Sequence, residues 1–296
     1  MNELFNLEVM RQHAFAVADA AMAEPLPNGL ITQRLVPNNL ASSAHLMPTL
    51  INLNRARGQQ LNDLSKFIQN ACANAQAPPV ALFIKTNASE REMVRHWNSM
   101  QVAQPQPGHK LWLRLHDPRV MHQLLRILNP TQRRNLFGLS VTFTYWIGGE
   151  WIKAERDFDL QDANSAQARA DVEPFAGPAR WDWPRIERIG LINRALHGAG
   201  IQQPIMLSSS GALAEQLIER AAQHHGFVEQ VDLVEFAIRG LTTHPAFDQH
   251  PVVIQAIKPD AALGEDSTLP DRLALLEEQV WNELRQSRKM LQESLL

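Results

Sequence analysis

Four groups of residues in this chain have types and spacings that chemistry could use. His109, His116 and His122 crowd into one stretch and carry imidazoles that could hold zinc. A strand followed by a helix would spread them, without the i, i+4 spacing that sets two ligands on one helix face, so no metal is expected. His116 beside Asp117 has the makings of an acid–base pair, yet neighbours on a strand point to opposite faces and neither has an evident nucleophile partner. Ser208, Ser209 and Ser210 follow the apolar run PIML and precede Gly211, an arrangement that resembles an anion cradle or a hydrolase serine. Gly-Lys-Ser or Gly-Lys-Thr, Gly-x-Ser-x-Gly and GxGxxG are all absent, so helix capping by Ser209 or Ser210 is the expectation. Trp181 and Trp183, in RWDWPR, could anchor a partner or lock a linker onto its own domain.

Asp117-Pro118-Arg119 is best explained by helix physics. Asp117 sits where an N-cap belongs, able to accept N–H bonds from the first turn, and Pro118 occupies the position where a missing N–H costs nothing. Arg119 carries a planar fork suited to a carboxylate, within the domain or on a partner. Before this corner, KLWLRLHD alternates Leu111, Leu113 and Leu115 with Trp112, Arg114 and His116, the period of a half-buried strand. After it, Met121, Leu124, Leu125 and Leu128 line a helix, and Asn129-Pro130 with Gln132 starts a second that stops at Gly138.

The remaining elements follow from the same periodicities. HAFAVADAAM (13–22) reads as a strand whose alanines invite close packing, and PPVALFIKT as a buried strand. Residues 59–75 read as a one-sided helix. Ser89 with Glu92 forms a capping box for a helix ending near Gln101, and SVTFTYWIGGEW (140–151) a hairpin turning at Gly148-Gly149. From Trp181 onward the pattern is helical: one helix stopped at Gly198, one at Gly226, one over VEQVDLVEFAIRGL, and a long closing helix from Leu269. Its stripe of Leu273, Leu276, Val280 and Leu284 either packs internally or helps form a groove for an amphipathic or apolar segment of a partner.

The expected architecture is α+β or α/β. A mixed N-terminal domain with a central sheet and covering helices spans residues 1–155, a polar linker 156–180, and a smaller, mainly α-helical lobe 181–296. With 296 residues and an ordinary apolar share of 45%, the chain can bury substantial cores. Its net charge of −3 gives no preference for a phosphate backbone, so nucleic acid is not an expected partner. One cysteine, Cys72, excludes an internal disulfide and fits a reducing compartment. No apolar run reaches the length of a membrane helix, and the start does not read as a signal peptide, so a cytoplasmic location without stable membrane insertion is expected.

The succession FAVADAAM, VALFIKTNASEREMV, LRLHDPRVMHQLLRILNPTQRRNLFG, FTYWIGGEW and FVEQVDLVEFAIRGLTTHPAFDQHPVV resembles the effector adaptor (chaperone) family of bacterial type VI secretion systems, the Tap or Tec proteins. Asp117, Pro118 and Arg119 match the signature of that family. The resemblance implies a non-catalytic protein, with no cofactor, that binds a toxin effector and helps load it onto the spike tip protein. Trp181, Trp183, Leu276, Val280 and Leu284 become candidate partner contacts, with the helical lobe gripping the effector and the N-terminal domain meeting the spike. The alternatives are a hydrolase using Ser208 to Ser210 and a structural subunit of a secretion assembly.

Overall fold

The computed structural model describes residues 7–21, 25–73, 77–106, 109–156, 177–178, 181–258 and 267–293. Most of the expected linker, 157–176, lies outside them. Two compact units divide the chain, Met1–Ile186 and Glu187–Leu296, so Trp181 and Trp183 group with the first.

The N-terminal unit is α+β. Its six-stranded sheet runs in the order β2 (Thr32–Arg34), β3 (Thr49–Asn52), β1 (Phe15–Ala18), β4 (Val80–Thr86), β7 (Ser140–Ile147), β8 (Glu150–Glu155), and every pairing is antiparallel. In β1 all four residues are buried, because both faces of the sheet are covered. On one face Ala16, Ala18, Ile51 and Phe83 form a core with Leu61, Leu64 and Ile68 of α2 (Gly58–Ala73). The small alanines let that helix come close. On the other face Phe143 stacks on Phe137 at 4.4 Å between ring centres and meets Trp97 edge-on at 6.4 Å. These two rings come from α5 (Pro130–Phe137) and α3 (Glu90–Met100).

Helix starts in this unit are set by side chains. Ser89 and Glu92 close a capping box on α3, Asp117 caps α4 (Pro118–Ile127), and Asn129 with Gln132 closes a second box on α5. Gly138 ends α5 at φ 54°, with the ring of His96 packed so close that an added Cβ would lie 2.4 Å from it. The β7–β8 hairpin turns at Gly148 (φ 61°) and Gly149 (φ 90°), both in the left-handed region that a two-residue turn of this kind requires.

One expectation for this unit is corrected. The strand read over KLWLRLHD is shorter: β6 is His109–Trp112 and pairs only with β5 (Val102–Gln106) in a separate two-stranded ribbon. Residues 113–117 leave the ribbon in a turn closed by the Asp117 N–H donating to the Arg114 carbonyl at 2.9 Å. Leu115 and His116 are therefore both buried, where alternation would have put His116 in solvent.

The C-terminal unit is helical throughout its described residues. After α6 (Trp183–Glu187), which straddles the division, come α7 (Ile189–Gly198), α8 (Pro204–His224), α9 (Gln230–Thr242), α10 (Pro251–Ile257), α11 (Leu269–Ala274) and α12 (Glu278–Glu293). The first and last expected helices are each broken in two, at Arg188 and over 275–277. The helix expected to stop at Gly198 ends there, and Gly200, two residues on, takes φ 70°. Gly198 also gives room to Ile238, whose Cδ1 would lie 2.5 Å from an added Cβ. Asp248 knits this unit together, its carboxylate 2.9 Å from Arg220 and 3.0 Å from His225.

Candidate functional site: the cleft at the Asp117 corner

The Asp117 corner forms one end of an open cleft of about 560 Å³ in the N-terminal unit. Asp19, His116, Asp117 and Arg119 make its polar end. Phe67, Pro78, Pro79, Trp146 and Ile147 make its apolar walls. Each polar group arrives by a different device. Asp19 lies just past the end of β1 and accepts the Ala21 N–H at 3.0 Å. The tight turn after β6 tucks His116 inward and delivers Asp117 to the start of α4. Pro118 then fixes the first helical residue, which sets Arg119 one position further on.

Asp117 does two jobs with one carboxylate. Its Oδ1 accepts the backbone N–H of Arg119 at 3.0 Å, which is the helix cap. The Arg119 side chain also returns to it, Nε donating to Oδ1 at 3.0 Å and Nη2 to Oδ2 at 2.8 Å, a two-pronged pair. Burial pushes the Asp117 carboxyl up, but the hydrogen bonds and charge of Arg119 outweigh it and hold the group below the usual carboxylate range. The same bonds raise Arg119. The Asp117 side chain is 8% exposed and that of Arg119 65%, so the guanidinium stands on the rim with its stem pinned from behind.

His116 lies beneath this pair. Its side chain is 1% exposed, Nε2 is 3.7 Å from Asp19 Oδ1, and Nδ1 is buried without a hydrogen-bond partner among the described residues. Burial lowers its pKa more strongly than the nearby Asp19 raises it, so the ring is neutral at pH 7. Arg114 reaches Asp19 at 3.8 Å, an ion-pair distance too long for a hydrogen bond.

The expected separation of His116 and Asp117 onto opposite faces fails, because they sit in a turn: both line this cleft, together with Asp19 from a distant stretch of sequence. Among the described residues no cluster of three or more His, Cys, Asp or Glu could hold a metal. His122 is turned to the Tyr145 hydroxyl at 3.1 Å, and the side chain of His109 lies outside the described residues. The serines expected to cap a helix lie inside one instead: α8 begins at Pro204, and Ser209 donates its hydroxyl to the Met206 carbonyl at 3.2 Å. Trp181 and Trp183 are buried and stack on each other at 6.3 Å. Leu284 is buried, while Leu276 and Val280 are half-buried. The exposed large apolar side chains of the C-terminal unit are others, led by Ile205 at 87% and Val228 at 81%. Trp281, buried under Arg239 with the guanidinium 4.6 Å from its ring centre, is a core residue that the stripe over the closing helix left out.

Residues 14–135 match the family described as a domain of unknown function, DUF4123. The match covers the first strand, the central helices and the Asp-Pro-Arg corner, and ends before the hairpin of β7 and β8. No curated protein and no solved structure matches the chain. Among the described residues no helix is long and apolar enough to cross a membrane.

Proposed function

We propose that the chain is a non-catalytic adaptor of a type VI secretion system. In this reading it binds a toxin effector in the cytoplasm, stabilises it, and helps load it onto the spike tip protein. The observation that carries the proposal is the match of residues 14–135 to DUF4123, a family associated with type VI effector adaptors. The helical unit supports an effector-holding role. Ile205, Met206, Val228, Val231 and Leu275 leave apolar surface in water that a partner could cover. A protein that covers such surface on an effector stabilises it by mass action, and an interface of modest apolar area still allows release. The placement of Ser209, on an exposed helical turn with its hydroxyl given to a backbone carbonyl, favours adaptor over hydrolase.

The test is co-expression of the full chain with the toxin encoded beside its gene. An adaptor raises the soluble yield of the toxin, elutes with it in fixed ratio, and is largely absent from secreted material. Equal toxin yield without the chain and separate elution would refute the reading. So would turnover of generic ester or phosphate substrates that Ser209→Ala abolishes. Retention of the chain in secreted particles would instead mark a structural subunit.

A further inference from the structure

We propose that the cleft at the Asp117 corner is the docking site for a segment of a partner polypeptide in which one Asp or Glu stands beside a large apolar residue. The proposal rests on the adaptor reading and deepens it, giving the N-terminal unit's contact with the spike tip protein a place and a chemistry. Its basis is the balance of donors and acceptors at the polar end. A guanidinium carries five N–H groups. Asp117 takes the Nε–H and one from Nη2, and Arg119 makes no other side-chain hydrogen bond among the described residues. Its outer edge therefore faces solvent with donors to spare. Arg114, outside the cleft lining, has Asp19 at 3.8 Å and its guanidinium carbon 6.0 Å from the Trp112 ring centre. Both Asp117 oxygens are turned to Arg119, and the outer N–H groups of that guanidinium are left over, so the group that completes the fork is an acceptor, and a carboxylate is the strongest one a polypeptide offers.

Three further features narrow the occupant. Asp117 grips Arg119 from behind, so its fork is oriented before anything binds and little side-chain entropy remains to be lost. The buried, neutral His116 adds no competing charge, while Asp19 at the inner end repels a second acidic group, which selects one carboxylate and not a run of them. The walls are apolar: Phe67, Pro78, Pro79, Trp146 and Ile147 offer more surface than a lone carboxylate could cover, so the acidic residue must have an aromatic or aliphatic neighbour. Overall charge points the same way. Met1–Ile186 holds 19 Lys and Arg against 16 Asp and Glu, a net +3, and Glu187–Leu296 holds 9 against 15, a net −6. An acidic segment is thus steered to the first unit and away from the second.

The experiment pans a phage-displayed library of random dodecapeptides against the purified full chain, then measures the best synthetic peptide by fluorescence anisotropy. Recovered sequences should carry one Asp or Glu within two positions of Phe, Trp or Leu, and Arg119→Gln should weaken binding about tenfold or more. Because that variant also strips Asp117 of its partner, a second pair keeps the result independent of folding. Asn70 is exposed on α2 and lines the same cleft. Asn70→Lys should tighten the acidic peptide and Asn70→Glu loosen it, both effects shrinking in high salt. Recovery of basic or uncharged sequences, no enrichment at all, or equal affinity of the two Asn70 variants would overturn the proposal. Failure here and failure of the adaptor reading are distinguishable. If only the cleft assignment is wrong, the toxin still co-elutes with Arg119→Gln protein; if the adaptor reading is wrong, the toxin co-elutes with neither form.

Discussion

The two units of this chain solve the same problem by opposite means. The N-terminal unit fixes the ends of its helices with side chains: α3, α4 and α5 each start on a residue whose oxygen accepts a first-turn N–H. In the C-terminal unit α7, α8, α9 and α10 have no such bond, and α11 closes a capping box through Thr268. The first unit buries polar groups, the histidines His13, His96 and His116 among them, and leaves few large apolar residues of its described part in water. The second leaves Ile205, Met206, Val228, Val231, Val252, Ile254, Leu275 and Met290 exposed. In the proposed reading, the scaffold determined by local rules holds shape and the surface with unmet apolar contacts is the one to be covered.

The sharpest way to test that division is to damage the scaffold. Phe83 lies at the centre of the sheet, fully buried, in edge-on contact with Trp151 at 5.5 Å and with His13 at 5.8 Å. Phe83→Ala removes an aromatic ring from a packed core and should cost about 3–5 kcal/mol, measured by urea unfolding. If the units are independent, the helical signal of the second unit will survive to a higher urea concentration than the strand signal of the first.

Acid probes the same contrast. Burial lowers the pKa of His13, His96, His116 and His122, all in the first unit. Each is neutral in the fold and binds a proton more readily once unfolded. Stability is therefore complete above the unfolded histidine value of about 6.5 and declines as pH falls below it toward the depressed folded values. The urea midpoint of the first unit should be lower at pH 5 than at pH 7.5, and His122→Gln should reduce that difference. A midpoint independent of pH over this range would mean the four imidazoles are not held neutral.

What could be read from the sequence divides along the same line. Ser89 with Glu92, Asn129 with Gln132, the Asp117-Pro118 start and the Gly148-Gly149 turn are local signals, and the fold uses each of them as written. The second unit breaks its helices at Arg188 and over 275–277 without a Gly or Pro to announce it, because packing decides where those helices turn and propensity does not. Ser208 to Ser210 looked like a cap because three short polar side chains precede a glycine. Pro204 starts the helix earlier, and Gly211 is buried within it. The cleft was legible only in part. Asp117 and Arg119 announce their bond by spacing, whereas Asp19 and His116 join them only through the ending of β1 and the turn after β6, features that alternation along either stretch conceals.

The corner itself gives a smaller and more diagnostic effect. Asp117→Ala removes the cap and the partner of Arg119 together, and should cost about 1 kcal/mol or somewhat more. Asp117→Asn keeps an N-capping side chain and loses only the ion pair. Because Arg119 is two-thirds in water, that variant should cost less than the alanine one. The depressed carboxyl of Asp117 adds a pH signature. Its contribution is present above the ordinary carboxylate range and is lost as pH falls through the lowered value, so the wild type and the asparagine variant should converge in strong acid. Equal losses for alanine and asparagine would make the ion pair, and not the cap, the dominant contribution of this residue.

The smallest effect on folding carries the most weight for function. Ile205 stands in the first turn of α8 and Val228 just ahead of α9, almost fully in water, so neither contributes packing to the unit that carries it. Replacing both with serine should change stability by no more than about 0.5 kcal/mol in either direction. If this surface is covered by the effector, the double variant should nonetheless lose co-eluting toxin, because the apolar area that binding removes from water is gone. The net charge of −6 on this unit adds a second signature: the wild-type complex should weaken with salt wherever the effector meets it through basic residues. A double variant that folds normally and still retains the toxin at the wild-type ratio would move the effector contact off these helices, and with it the division of labour between a shape-holding unit and a covered one.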